Sequence, residues 1–477
     1  MNSIFRKILV SCLISLACVP FSFAIIMTPP MKYVIMACFF LVSVLIFSLV
    51  RDKNLILVWF LLFVTAVDRM KIFLESPYCP EEIGVPFSLA FLIGSVLFLA
   101  WRSKSRPIEL QSLNTVLLFY GGYLLVSLLT SLHHSLLISF SLYELIRYSA
   151  FILAILFWER ISRNVPERTL DKYLLVLFFI GALQGILAVV QVMFLIDMSF
   201  WTSSEMVQGL PGELSRAQGT VGSYTGLGNY LSVLFPFTLS LFFYKKTFLR
   251  LTCLILIIVG LILTFTRVSW IGAAIGALAV IGILLQRGNI SIKKIIIAGM
   301  IGIILLACLT LPFLDKINVV MKDLLLNRGD TLSSRMETYR TGWRMAVDSH
   351  FLGIGLKNYW SLLYKEYFYS EVFVCIAHNS YLVVLVESGA VGLIFFLLAY
   401  FAILKSGYKL CRQTKNDSLY FYVTTGMIGA VISFLISSTL NMTVYYDNCM
   451  NLLWNIMAVG LICGQWGYNR NNGAKLS

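Results

Sequence analysis

At roughly 150 residues per domain, a chain of 477 residues would ordinarily divide into two or three soluble domains. The composition excludes that: 59% of the residues are hydrophobic, only 13% are charged, and the mean hydropathy is +0.86. A soluble domain carries about 25% charged residues, so this chain cannot cover a water-facing surface and must be solvated by lipid. Its net charge of +14 is then a matter of which loops hold the cations, not a nucleic-acid footprint.

Apolar runs long enough to cross about 30 Å of hydrocarbon, roughly 20 residues each, fall at 8–28, 31–50, 54–74, 84–101, 113–132, 136–158, 173–196, 228–244, 251–266, 268–286, 295–314, 380–404, 419–441 and 448–466. They predict an all-α polytopic integral membrane protein with 12–14 transmembrane helices and a large, partly helical extracytoplasmic loop. The run 54–74 is weakened by Asp68, Arg69 and Lys71, and 8–28 reads as a retained signal anchor. Basic residues cluster in alternate loops: Arg6/Lys7, Arg51/Lys53, Arg102/Lys104/Arg106, Arg160/Arg163/Arg168/Lys172, Lys245/Lys246/Arg250, Arg287/Lys293/Lys294, Lys405/Lys409/Arg412/Lys415 and Arg470/Lys475. The alternation never loses register, which puts both termini in the cytoplasm.

The organisation expected is membrane helices over 1–314, an extracytoplasmic cap over 315–379, membrane helices over 380–466 and a cytoplasmic tail over 467–477. The second long outer segment is 197–227. The cap is rich in aromatic residues and holds eight Lys and Arg, against the inside bias, which an anionic ligand would explain. Cys79 and Cys375 both fall in outer segments, so a bridge between them is open. No Walker A sequence, H-E-x-x-H or D-x-D occurs, so no ATP-driven cycle, metal site or cofactor is implied.

The chemistry concentrates on a few positions. His378 and Asn379 immediately precede the run 380–404. Asn379 is a preferred N-cap, which leaves His378 one residue outside a helix whose positive end disfavours imidazolium and attracts anions. A neutral His there can act as a general base. Glu387 lies nine residues on, about 180° around a straight helix, and is poorly placed to orient it. Gly389 and Gly392 are spaced for a close helix crossing. Arg267, in T-F-T-R-V-S-W, is held at a tight outer junction, as a snorkelling anchor or as a fixed fork for phosphate. Arg335, Arg340 and Arg344 share a predicted amphipathic helix whose apolar face is Tyr339, Trp343 and Val347; its arginine row is ordinarily a solvated face. Arg147 falls mid-span with Glu144 at i, i+3, and either pairs structurally or lines a polar cavity.

These segments together resemble a known family. His378-Asn379 with Gly389 and Gly392 resembles the H-[NSQ]-x9-G-x-x-[GTY] signature of the O-antigen ligase and Wzy-type polymerase superfamily. H350-F-L-G-I-G-L-K-N-Y is similar to its hPlxGxGxxxy segment with Phe351 for proline, and T-F-T-R267 to its T-x-S-R junction with Thr266 for serine. S-S-R335 is similar to its loop arginine, and R216-A-Q-G-T-V-G with Asn229 and Pro236 to another of its segments. The resemblance implies glycosyl transfer at the periplasmic face of a bacterial cytoplasmic (inner) membrane, from a glycan on undecaprenyl pyrophosphate. His378, Arg267 and Arg335 would be catalytic; Arg216, Asn379 and Arg147 would bind substrate; no metal or cofactor would take part. The acceptor would be lipid A–core for a ligase or a lipid-linked glycan for a polymerase. A reading of another class is a transporter or flippase of lipid-linked sugars that uses Glu144 and Arg147 as a midplane site.

Overall fold

The computed structural model describes residues 52–67, 71–74, 83–102, 113–134, 138–163, 165–194, 216–291, 293, 328–363, 367 and 376–471. The predicted spans 8–28, 31–50 and 295–314, and both Cys79 and Cys375, lie outside the described residues. Among the described residues thirteen α-helices follow in order: α1 Lys53–Val67, α2 Phe87–Arg102, α3 Asn114–His134, α4 Ile138–Ser162, α5 Glu167–Phe194, α6 Tyr224–Tyr244, α7 Phe248–Leu263, α8 Arg267–Gln286, α9 Arg328–Asp348, α10 Tyr359–Leu362, α11 Ser380–Gln413, α12 Leu419–Ser437 and α13 Asp447–Asn471. One antiparallel hairpin pairs β1 Lys71–Leu74 with β2 Ile83–Pro86, so the run predicted over 54–74 is a shorter helix followed by a strand. Among the described residues eight helices are long and apolar enough to cross a membrane. Helices suit that setting because they satisfy their backbone polar groups internally.

The central post is α13, buried without interruption from Asn448 to Gly467. It is the least apolar of the eight, and its amides are satisfied by neighbours rather than lipid. Asn448 Nδ2 donates to Thr65 O at 2.8 Å, and Trp158 Nε1 donates to Asn455 Oδ1 at 3.0 Å. On the periphery α3 turns Leu118, Leu125, Leu129 and Leu132 outward. α8 runs antiparallel against α12, where Gly272 and Gly276 face Ser437, Ser433 and Gly429 at backbone contact. Small residues let helices approach that closely.

The two ends of the bundle differ chemically. At one end Arg250 pairs with Asp171, Lys245 lies 3.7 Å from the same carboxylate, and Arg287 donates to the carbonyls of Cys411, Arg412 and Thr414. Arg470 reaches Glu167 there as well. These are the cations that the charge alternation assigns to one side. The opposite end gathers the starts of α6, α8, α11 and α13.

α11 is not continuous. Gly389 has φ 72 and ψ 179, a backbone open only to glycine, and it divides the helix. The segment after α9 enters the break: Ile354 N donates to Val386 O at 3.0 Å, Gly355 N to Glu387 O at 2.9 Å, and Ala390 N to Phe351 O at 2.9 Å. A Cβ on Gly389 would come within 2.6 Å of the Phe351 and Leu352 carbonyls, and one on Gly353 within 2.6 Å of Gly389 N. Gly389 therefore serves a loop insertion, not the helix crossing expected from its spacing. Gly392 makes room chiefly for the Ser388 side chain of its own helix. Gly389→Ala is expected to cost at least about 1–3 kcal/mol from backbone strain alone, read as a lowered Tm in detergent, with activity lost alongside.

Candidate functional site

His378 stands at the head of the first half of α11, half-buried behind the buried Ile376 and Ala377. Asn379 is the N-cap, as its position in the sequence indicates. Its Oδ1 accepts from Tyr381 N at 2.9 Å and Leu382 N at 3.0 Å, so that oxygen is committed to the helix. Tyr339 of α9 donates its hydroxyl to His378 O at 3.1 Å. Arg335 lies one turn earlier on the same helix, with no acidic partner among the described residues. Burial first, and the Arg335 guanidinium second, hold the His378 imidazole down to about 4. The side chain is therefore neutral near pH 7, as its place outside a helix start suggests, but for reasons that need the tertiary structure.

A polar chain connects this point to the α7–α8 junction. Ser380 N donates to Ser438 O at 2.9 Å and to Asn441 O at 3.1 Å. Asn441 Nδ2 donates to Asn229 Oδ1 at 3.0 Å, and Ser269 Oγ donates to the same oxygen at 2.8 Å. Ser269 is two residues beyond Arg267, and Ser380 two beyond His378. Both candidates thus occupy one end of the bundle.

Arg267 is half-buried and is the first residue of α8. Thr266 occupies the N-cap position without a side-chain cap bond; its hydroxyl turns back toward Tyr224 O and Thr264 O, each at 3.3 Å. A cation at the positive end of a helix, with no carboxylate on it among the described residues, is unfavourable unless an anion arrives. Arg216 adds a second guanidinium. Ala217 N donates to Leu263 O at 3.0 Å, and Arg216 stacks over the Tyr224 ring at 4.6 Å. Its Nε is buried without an acceptor. The loop carrying it is pinned by α5, where Gln191 Oε1 accepts from Gly219 N at 2.8 Å and Gln184 Oε1 from Thr220 N at 3.0 Å.

Arg147 is committed differently. Its guanidinium, 1% exposed, pairs with Glu144 and Asp447 and donates to Val444 O at 3.0 Å. The structure thus favours the pairing alternative: a clamp on the segment 441–447, not an open cation facing substrate. That segment also holds the His-bearing half of α11. Thr443 Oγ1 meets Ser380 Oγ at 2.9 Å, and the Tyr445 hydroxyl donates to the Glu387 carboxylate at the helix break. Lys357 Nζ lies 4.0 Å from the Tyr445 ring centroid. Glu387 therefore serves the break and does not touch His378, in line with its spacing. His350 and His133 are exposed.

Sequence reasoning missed Tyr339, Asn441 and Tyr445, whose roles arise only from contacts across the chain. Asn229 appeared in the sequence comparison without a role, and the structure makes it the hub of the polar chain.

Residues 252–397 match the family model described as O-antigen ligase, Wzy_C. Over that segment the chain is similar to the O-antigen ligase/Wzy superfamily. The segment contains Arg267, Arg335, His378 and the Gly389 break, and leaves Arg216, Asn229 and Arg147 outside. No curated protein matches the chain.

Proposed function

We propose that the protein is a membrane glycosyltransferase that moves a glycan from undecaprenyl pyrophosphate onto an acceptor hydroxyl, most simply as an O-antigen ligase acting on lipid A–core. One observation carries this reading: a half-buried imidazole held neutral by burial and by Arg335, on the same end of the bundle as Arg267 and Arg216, neither of which meets a carboxylate among the described residues. His378 would take the proton of the acceptor hydroxyl as its oxygen attacks the anomeric carbon. The bond from that carbon to the pyrophosphate oxygen breaks, and the lipid pyrophosphate leaves with the electron pair. Arg267, Arg335 and Arg216 supply positive charge where the leaving group develops negative charge. The basic end of the bundle would face the cytoplasm and the site the periplasm of the inner membrane.

A polymerase joining lipid-linked repeat units would use the same chemistry. Deleting the gene and resolving lipopolysaccharide on a gel separates the two. Core without attached chain, with lipid-linked polymer accumulating, is the ligase result; core carrying a single repeat is the polymerase result. Unaltered lipopolysaccharide would refute both.

The pH dependence tests the site itself. His378 must be neutral to accept a proton, so wild-type kcat/KM should fall only as pH drops through about 4. Arg335→Gln removes a repelling cation, which makes imidazolium easier to form. The acidic limb should move up toward, but not beyond, the ordinary value near 6.5, because burial remains. An unmoved limb, in a pH series on purified protein, would remove Arg335 from His378's surroundings.

A further inference from the structure

The sequence reads Tyr339, Trp343 and Val347 as the apolar face of α9, yet Trp343 and Val347 are exposed in the structure. The buried stripe is Thr338, Gly342, Met345 and Ala346, seated on α11 where Gly342 meets Leu382 and the Tyr359 hydroxyl. Met336 is 48% exposed, Trp343 55% and Val347 45%. Large apolar side chains exposed together, bordered by charge, mark an interaction surface. Beside it the first charges are cationic: Arg340 and Arg344 are exposed and form no ion pair among the described residues, with the exposed carboxylates of Glu337 and Asp348 farther around the helix. Trp343 is propped edge-on by the Phe351 ring at 5.7 Å between centroids, which fixes its indole as a shelf.

Position connects this face to the site. Arg335, Tyr339 and Trp343 follow at i, i+4 and i+8, a row that drifts only about 40° per step on an α-helix. Arg335 and Tyr339 are the two α9 side chains that act on His378. Trp343 continues their row onto the exposed surface, and Arg340 and Arg344 lie beyond it. An occupant of the face is thus adjacent to the candidate base. Its chemistry must be amphipathic and anionic. Transfer needs two substrates, and the arginines at the bundle end already answer to the donor's pyrophosphate.

We propose that the outer face of α9, formed by Met336, Arg340, Trp343, Arg344 and Val347, docks the phosphorylated saccharide headgroup of the acceptor lipid. This rests on the glycosyl-transfer reading above. Phosphates pair with the two guanidinium groups, and the saccharide lies over the Trp343 shelf.

The test uses the full-length protein in phosphatidylcholine nanodiscs. Lipid A–core is the probe, intact or treated with phosphatase, against wild type, Trp343→Ala and the double variant Arg340→Gln/Arg344→Gln. Binding is measured directly, and transfer from a lipid-linked donor is measured in parallel. The double variant should bind intact probe about tenfold or more weakly, roughly 1.4 kcal/mol per factor of ten. Wild type should bind the phosphatase-treated probe with a similar loss. In the transfer assay the defect should fall on KM for the acceptor rather than on kcat. Unchanged Tm would show that the variants remain folded, and all three substituted positions are exposed. Equal affinity of variant and wild type for intact probe would overturn the proposal. So would an equal loss in binding to phosphatidylglycerol vesicles without acceptor, which would make the face a bilayer contact. If wild type binds the probe through these residues but transfers no glycan, the docking surface stands and the transfer reading falls.

Discussion

His378→Ala is expected to reduce glycan transfer by a factor on the order of 10²–10⁴, the usual contribution of a positioned general base. The loss should appear in kcat, measured with purified protein and saturating donor, because the side chain is assigned to proton transfer rather than to anchoring. The fold should survive. The helix start is capped by Asn379, the contact from Tyr339 goes to the His378 backbone carbonyl, and Ser380 is held through its own amide and hydroxyl. None of these needs an imidazole, so Tm should barely move. A variant that transfers at the wild-type rate would end the base assignment, whereas a wild-type protein that moves lipid-linked sugar across the bilayer but transfers no glycan would leave the transporter reading in its place. A flippase moves a lipid-linked sugar without breaking its glycosidic bond, and has no use for a neutral base at the membrane rim.

What could be read from residues alone follows the range over which each signal acts. Hydropathy is local, and it located every described span to within about six residues, apart from the end of α11, which runs past the predicted 404 to Gln413. Capping is local too, so Asn379 was legible as the start of α11. The break at Gly389 was not legible. A glycine inside an apolar run reads as close packing, and only the arrival of residues 351–355 shows that the backbone leaves the helix there. The packing of α9 has the same origin: periodicity identifies an apolar stripe but not its partner. The chosen buried stripe includes Gly342, whose lack of a side chain permits contact with Tyr359 and Leu382. Arg147 shows the limit from the other side. Its spacing from Glu144 allowed a pair, yet Asp447 and Val444, which complete its coordination, lie some three hundred positions away.

Arg267→Ala should separate function from stability more sharply than any other substitution. Losing a preorganised charge at a developing pyrophosphate costs on the order of 10²–10³ in rate. Stability should go the other way. Arg267 is the first residue of α8, where the helix end is itself positive, and no carboxylate offsets it among the described residues. Removing it should leave Tm unchanged or raise it, by an amount within the roughly 0.3–1 kcal/mol of a charge at a helix terminus. Arg267→Lys keeps the charge but loses the planar fork that grips two phosphate oxygens, so it should recover only part of the rate. The helix-end penalty remains in the lysine variant, and its Tm should therefore match wild type. A fall in Tm for Arg267→Ala, with activity lost in proportion to unfolding, would instead make Arg267 a structural anchor of the α7–α8 junction. The ordering expected of a phosphate fork is wild type above lysine above alanine in rate, and alanine at or above the other two in stability.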